Sequence, residues 1–297
     1  MIDIETNKVL ELFGRSVRVR HDWRDIVTHQ RYPFSDRKCF KVRKSRPGVS
    51  IGTCSVRYGT DNWNIIICPN RLLERRQVFT DCLHLLTLHD PGNELHVIPE
   101  VSIPGGSVDY FLVSAKRGKV KDFAAIEFQT LDTTGTVWPE RQRLLDILGL
   151  SVSPRDKTSS KSFGMNWKMT AKTILVQLHH KVDTLEHLGK RCVLVIQDCL
   201  LDYLRDQFDF GHIKDVWIGD SMHIHSYTME ESGPEFTLHL HTRLSTDAAG
   251  VARCLGLQAN TKVELETIVT ELERKLSRET LLTVHVPIGV VGDARTE

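Results

Sequence analysis

Three polar side chains, Asp109, Glu127 and Gln129, stand in two neighbouring segments that have the pattern of β-strands joined by a basic, glycine-containing turn. Because side chains two residues apart on a strand face the same way, Glu127 and Gln129 share one face of the second segment. If the two segments pair, Asp109 approaches Glu127 closely enough for both carboxylates to hold one cation. Magnesium binds through one or two carboxylates and leaves positions for water and phosphate. We therefore expect metal-assisted phosphodiester hydrolysis at this hairpin, residues 104–134.

The spacing of these residues is by itself a weak signal, because acidic residues in strands are common. Two features of the context strengthen it. Asp109 follows a Pro-Gly-Gly turn at residues 104–106 and lies at a strand end, where a site can be open. Glu127 lies in an otherwise apolar strand, where a carboxylate is costly unless it is paired or bound to metal. Salt-bridged structural acids are the alternative, and the strand order favours a metal site.

Two further residues could assist at this site. Glu100 ends the preceding strand and could supply another carboxylate, or it could be a solvated acid. Gln129 cannot neutralise developing charge as a lysine would, because its amide is neutral. It can still orient an attacking water through its carbonyl and amide groups.

Length and composition indicate a globular protein of ordinary type. The chain has 297 residues, of which 40% are hydrophobic and 26% charged. No segment reaches eighteen apolar residues, and the acidic N-terminus does not resemble a secretory signal, so we expect a cytoplasmic protein with no membrane association. Seven cysteines, an odd number, argue against a disulfide framework.

The charge distribution is uneven although the formal net charge is only +1. Residues 15–46 contain eleven lysines and arginines and three aspartates, whereas acids concentrate near the C-terminus. Such a segment could bind a phosphate backbone, or it could be a solvated basic face. The candidate DNA-binding residues are Lys41, Arg43, Lys44 and Arg46 in this segment and Lys168 and Lys172, one helical turn apart.

The order of predicted elements defines three regions. We predict an N-terminal basic, cysteine-containing module over residues 1–69, a core over 70–210 and an α+β C-terminal lobe over 211–297. Hydrophobic periodicity predicts helices at 4–13, 70–89, 138–148, 166–188, 198–208 and 261–277. It predicts strands at 50–58, 63–68, 95–101, 107–114, 122–131, 191–197, 213–218, 222–228, 235–243 and 281–287. The core thus has the order helix, three strands, helix, strand.

This order, together with the D…E-x-Q signature, resembles the PD-(D/E)XK nuclease superfamily. More specifically, the chain resembles the NotI family of restriction endonucleases, which also carries glutamine in place of the usual lysine. The similarity covers roughly residues 30–195. It rests on segments 67–71, 105–113, 125–136 and 166–173 and on the residues around Cys39 and Cys54.

The resemblance implies a fold and an activity. The fold is an α/β, restriction-endonuclease-like core with a central mixed β-sheet flanked by helices. The activity is that of a type II restriction enzyme, a Mg²⁺-dependent endonuclease specific for a site in double-stranded DNA. Asp109 and Glu127 would bind Mg²⁺, Gln129 would position water and Glu100 would assist. A palindromic target would require a homodimer, since one active site cuts one strand.

The resemblance also implies a structural metal, iron held by four cysteines. Cys39, Cys54 and Cys68 match three of these positions, but Tyr32 stands in place of the first cysteine. His29 could substitute as a ligand for iron or zinc. Alternatively the site could hold three ligands plus water, use Tyr32 itself, or be lost. The spacing lacks a CxxC pair, so it would not predict a metal site without the resemblance.

Two other functions are compatible with the sequence. The chain could be a non-catalytic DNA-binding protein on a nuclease scaffold, although the intact D…E-x-Q signature argues against this. It could also be a nuclease outside restriction, acting in DNA repair or defence. No sequence feature separates this second alternative from a restriction enzyme.

Overall fold

The computed structural model describes residues 6–35, 37–104, 106–256, 269–270 and 272–274. Residues up to 256 belong to one unit. None of the described helices has the length and apolar character needed to cross a membrane.

The described residues form both strands and helices. The strands are β1 (Val9–Leu12), β2 (Arg15–Ser16), β3 (Val42–Arg43), β4 (Arg46–Ser50), β5 (Thr53–Tyr58), β6 (Trp63–Ile66), β7 (Glu94–Ile103), β8 (Gly106–Lys116), β9 (Lys119–Phe128), β10 (Thr133–Gly135), β11 (Phe163–Met165), β12 (Arg191–Gln197), β13 (Lys214–Asp215), β14 (Met222–Ser232) and β15 (Glu235–Thr246). The α-helices are α1 (Trp23–His29), α2 (Gln77–Thr80), α3 (Trp138–Ile147), α4 (Pro154–Lys157), α5 (Trp167–His187), α6 (Asp198–Gln207) and α7 (Ala248–Cys254). Two 3₁₀ segments, Pro69–Arg76 and Leu83–Leu85, flank α2.

A seven-stranded mixed sheet with the order β13-β15-β14-β12-β9-β8-β7 forms the centre of the fold. Strands β7, β8 and β9 make an antiparallel meander. After α5 the chain returns as β12, which pairs parallel with β9 on one side and with β14 on the other. The predicted mixed α/β architecture is confirmed, including the order of three strands, helix and strand.

Each face of the central sheet packs against a different part of the chain. Strand β12 reads RCVLVIQ, an apolar run with no alternation, and all its residues after Arg191 are buried. On one face Cys192, Leu194 and Ile196 pack with the apolar stripe of α5. On the other face Val193 and Val195 pack against the segment around α2. Burial on both faces is typical of a central strand with parallel neighbours.

A smaller sheet with the order β2-β1-β5-β6 carries the N-terminal region. One of its links to the central sheet is made by the buried Arg71, whose guanidinium donates to the Glu11 carboxylate at 2.8 Å and to the Phe236 carbonyl at 2.8 Å. The Arg71 and Glu11 side chains are almost fully buried. The contact joins β1, the 3₁₀ segment before α2, and β15.

Two predicted helices are wrong. Residues 9–12, inside the predicted helix 4–13, form β1, because all four side chains are buried and the backbone pairs with β5. The predicted helix 70–89 is broken into two 3₁₀ segments and α2. Arg75 and Arg76 have left-handed backbone angles, with φ of 50° and 54°, which interrupt a right-handed helix.

The predicted boundary at residue 210 does not separate two lobes in the described residues. Strands β13, β14 and β15 continue the central sheet, because β14 pairs with β12 along six residues. The predicted helix 261–277 is described only at residues 269–270 and 272–274, which are helical. The predicted strand 281–287 lies outside the described residues.

Candidate active site

The register of the β8–β9 hairpin brings the two principal carboxylates together. Tyr110 pairs with Ile126 and Phe111 with Ala125, and the same register sets Asp109 opposite Glu127. Both side chains line a cleft of about 420 Å³. The residues around the cleft are Gly106, Ser107, Asp109, Glu127, Phe128, Gln129, Ile174, Gln177 and Lys181.

A lysine that the sequence analysis missed completes this cleft. The Lys181 ammonium on α5 lies 2.7 Å from Glu127 Oε1, and their side chains are only 8% and 6% exposed. A signal for this residue exists in the sequence. Lys181 lies one turn after Leu178 and one turn before Leu185, in the apolar stripe of an amphipathic helix, where a charged residue needs a partner.

Both carboxyl groups have pKa values above their ordinary range. Burial raises the pKa of Glu127 from 4.5 to about 7, the Asp109 charge adds to this, and the hydrogen bond from Lys181 opposes it. Burial also raises the pKa of Asp109, although the Phe128 backbone N–H donates to Asp109 Oδ2 at 2.8 Å. Two desolvated carboxylates that repel each other bind a shared cation favourably.

Gln129 and Glu100 also lie at this edge of the sheet. Gln129 lines the cleft, and its amide nitrogen donates to the Thr130 carbonyl at 2.7 Å. Glu100 on β7 lies opposite Asp109 on β8, in the register that pairs Pro99 with Tyr110 and Val101 with Val108. It is exposed and has a left-handed φ of 54°, which is uncommon for a non-glycine residue and often marks a functional position.

A second cleft of about 330 Å³ meets the first at Asp109. Arg37, Lys38 and Glu100 also line it, and Arg37 and Lys38 are exposed. The structure thus brings two cationic side chains of the basic N-terminal segment beside the catalytic candidates. These two residues were not among the candidate DNA-binding residues.

Most of the candidate DNA-binding residues are exposed, with one exception. Lys41, Lys44, Arg46, Lys168 and Lys172 are exposed. Arg43 instead makes two hydrogen bonds to the Asp156 carboxylate, at 3.1 and 3.2 Å, and stacks 4.4 Å from the Trp138 ring centroid. Arg43 therefore holds two segments of the protein together and is a poor candidate for a DNA contact.

The three cysteines of the N-terminal module converge on Tyr32. The Tyr32 hydroxyl lies 3.0 Å from Cys39 Sγ and 3.1 Å from Cys68 Sγ, and all three cysteines are buried. Hydrogen bonds from Cys54, from Tyr32 and from the Asn70 backbone lower the pKa of the Cys68 thiol to about 6.

His29 does not take the fourth position that the sequence analysis considered for it. Its side chain is 62% exposed and its Nδ1 lies 3.0 Å from the Asp25 carboxylate, because His29 points outward from the end of α1. Tyr32, rather than His29, lies among the buried thiols.

Another cleft, of about 740 Å³, is lined by neither Asp109 nor Glu127. Aromatic side chains and five acids line it: Asp61, Asp198, Asp202, Asp206 and Glu230. Acidic walls repel phosphate groups. In the hairpin clefts, by contrast, carboxylates and cationic side chains occur together.

The hairpin cleft offers a suitable donor set for one hard cation. In the described ranges, no three His, Cys, Asp or Glu side chains are grouped as a metal site. Magnesium does not require such a group, because one or two carboxylates with water and phosphate oxygens suffice. Asp109 and Glu127 fit this requirement. Neither the protein-family models nor the curated proteins give a match for this chain.

Proposed function

We propose that this protein is a Mg²⁺-dependent endonuclease that hydrolyses phosphodiester bonds of double-stranded DNA, acting as a type II restriction enzyme. The observation that carries the proposal is the grouping of Asp109, Glu127 and Lys181 in one cleft, with Lys181 Nζ 2.7 Å from Glu127 Oε1. Two carboxylates and a buried ammonium at one point suit a reaction that builds negative charge on phosphate oxygens.

In this proposal Asp109 and Glu127 would hold Mg²⁺, and the bound ion would supply polarisation of the scissile phosphate and a lower pKa of the attacking water. Lys181 favours the ionised form of Glu127 and adds positive charge beside the reacting phosphate. Gln129 orients the attacking water through its amide. Gln129 stands where related nucleases usually have a lysine, and its neutral amide cannot supply the positive charge of that lysine. In this proposal Lys181 on α5 supplies the charge instead.

The basic residues around the clefts support DNA as the substrate. Arg37 and Lys38 line the cleft that includes Asp109, and in this proposal they would contact phosphates flanking the scissile bond. Glu100, on the same cleft, assists Asp109. The residues Lys41, Lys44, Arg46, Lys168 and Lys172 are also exposed and would add positive charge for binding DNA. Such contacts fix the position of DNA, while base contacts determine the target sequence.

Two parts of the proposal, the restriction activity and the two-fold symmetry, rest on the resemblance to the restriction-enzyme family. A homodimer would present two clefts to the two strands of a palindromic site. The reaction would take place in the cytoplasm, where foreign DNA arrives.

The test is cleavage of unmethylated plasmid and phage DNA with Mg²⁺. We expect discrete fragments from the unaltered protein and none from Asp109→Ala or Glu127→Ala. Lys181→Met should lower the rate by about 10²- to 10³-fold. The matched control is Lys119→Met, at an exposed position at the far end of β9, which should cleave normally.

Each variant is first compared with the unaltered protein by circular dichroism and thermal melting, so that unfolding is not mistaken for lost catalysis. DNA binding without cleavage would refute the nuclease proposal and favour a non-catalytic DNA-binding protein. Cleavage without discrete fragments would refute sequence specificity and favour a nuclease of repair or defence.

A further inference from the structure

Four side chains of the N-terminal module form a buried thiol–phenol cluster: Tyr32, Cys39, Cys54 and Cys68. Each is at most 3% exposed. They come from separate parts of the chain, namely the segment after α1, the loop before β3, the strand β5 and the residue that precedes a 3₁₀ segment. The resemblance implies a structural metal at this place, and the geometry tests that implication.

The distances within the cluster do not fit a metal ion. Oxygen and sulfur ligands bound at about 2.0 and 2.3 Å to one tetrahedral ion lie about 3.5 Å apart. The Tyr32 hydroxyl oxygen is only 3.0 Å from Cys39 Sγ and 3.1 Å from Cys68 Sγ. These are separations of hydrogen-bonded atoms. The cysteines are also not grouped as metal ligands anywhere in the part of the chain that the structure describes.

The hydrogen bonds around Tyr32 leave no role for an ion. The Tyr32 O–H is within reach of two sulfur acceptors, Cys39 Sγ at 3.0 Å and Cys68 Sγ at 3.1 Å, and the hydroxyl oxygen can accept from the thiol to which it does not donate. The Cys39 thiol is directed at the Lys41 carbonyl, 3.9 Å away. A phenol both donates and accepts, so one hydroxyl satisfies two thiols at once.

Cys54 is satisfied in the same way on the other side of the cluster. It accepts a hydrogen bond from the Gly14 backbone N–H at 3.1 Å, and its S–H has two acceptors within reach, the Gly52 carbonyl at 3.4 Å and Cys68 Sγ. These two backbone contacts join the turn after β1 to the start of β5. All three thiols therefore have partners from the protein, as buried polar groups require.

We propose that the N-terminal module is metal-free and that the phenol of Tyr32 replaces the structural ion. The hydroxyl links Cys39 to Cys68 by hydrogen bonds, in the position where an ion would link them by coordination. The aromatic ring meanwhile packs in the apolar cluster with Phe13 and Trp23, and so fills the module core. This inference does not depend on the cleavage activity.

The first test is elemental analysis of the full-length protein purified from cells grown with both iron and zinc. We expect less than a tenth of an equivalent of either metal per chain. About one equivalent that survives dialysis would overturn the proposal. Incubation with a strong chelator should leave the melting temperature unchanged, and a marked drop would also overturn it.

The second test restores a fourth thiol with Tyr32→Cys. This variant should acquire about one equivalent of iron or zinc, and a chelator should then lower its melting temperature. A folded Tyr32→Cys protein that takes up no metal would contradict the exchange of phenol for ion. The elemental analysis of the unaltered protein decides the proposal even if this variant fails to fold.

The third test removes only the hydroxyl, with Tyr32→Phe. It should raise the unfolding equilibrium constant by about five- to thirtyfold, because two buried thiols lose their partner. The matched control, Tyr58→Phe, alters a partly exposed tyrosine of β5 outside the cluster and should have a smaller effect. Equal effects in the two variants would show that the Tyr32 hydroxyl does not hold the cluster together.

Discussion

The raised pKa of Glu127 makes the stability of this protein depend on pH in a defined direction. Burial moves this pKa from 4.5 to about 7 in the folded state. Between these values the folded protein keeps the proton that the unfolded chain releases. The folded state therefore binds more protons, and the free energy of unfolding falls as the pH rises through this window.

The magnitude follows from the pKa difference. A change from 4.5 to about 7 corresponds to about 3 kcal/mol of stability lost between those pH values. The variant Glu127→Gln has a similar shape and no titrating proton. Asp109 is present in both proteins, so most of its contribution cancels in the comparison. The free energy of unfolding of the unaltered protein, relative to this variant, should fall by about 3 kcal/mol as the pH rises from 4.5 to 7.

The assay is urea unfolding of both proteins at closely spaced pH values from 4 to 8.5 without Mg²⁺. The variant Glu94→Gln, which removes an exposed carboxylate from β7, shows how large a change any lost surface acid produces. A difference between the unaltered protein and Glu127→Gln that is the same at every pH would refute the reasoning. It would mean that the favourable interaction with Lys181 fully offsets the free-energy cost of burying the ionised Glu127 carboxylate.

Three further results are expected. Because a protonated Glu127 cannot bind a cation, Mg²⁺ should stabilise the protein at pH 8 by about 2.7 kcal/mol at one hundred times its Kd, and much less at pH 5.5, as measured by thermal melting. Arg71→Met should lower the free energy of unfolding in urea by about 3–5 kcal/mol, because it leaves the buried Glu11 carboxylate without its partner; a loss below 1 kcal/mol would contradict this. Hydrogen bonds from Lys190 and the Leu88 backbone lower the pKa of Asp122, so the stability that this carboxylate contributes is present above its unfolded pKa and is lost as the pH falls through its folded pKa. The gap in unfolding free energy between the unaltered protein and Asp122→Asn should therefore close in acid, and a constant gap would argue against the pairing.

Strands that lie wholly inside the fold were predictable, because their sequence pattern and their burial agree. The run in β12 is apolar throughout and is central in the sheet. The strand patterns of β8 and β9 and the basic, glycine-containing turn between them were sufficient to predict the hairpin, whose register sets Asp109 against Glu127. These features depend on local periodicity, which a single sequence carries.

In the two segments wrongly predicted to be helices, the observed conformation depends on contacts with residues that are distant in the sequence. The segment containing β1 could form a helix by periodicity, but its backbone pairs with β5, more than forty residues away. The segment after Pro69 is interrupted because Glu74 turns away from helical geometry and its carboxylate reaches the Leu238 N–H at 3.0 Å. Tertiary hydrogen bonds decided both conformations, and propensity is a weaker influence than these.

Lys181 shows why a site can be only half visible in a sequence. Electrostatic stabilisation requires a cation at one point in space. The cationic residue can come from any element of the fold and from any distance along the sequence. Helix α5 packs its buried stripe on the sheet, and Lys181 belongs to that stripe. Its ammonium group therefore points into the polar cleft, where it donates to Glu127. The glutamine at position 129 and the lysine at position 181 are thus two parts of one arrangement. A motif confined to neighbouring residues contains the first part, and only the packing of the helix on the sheet brings in the second.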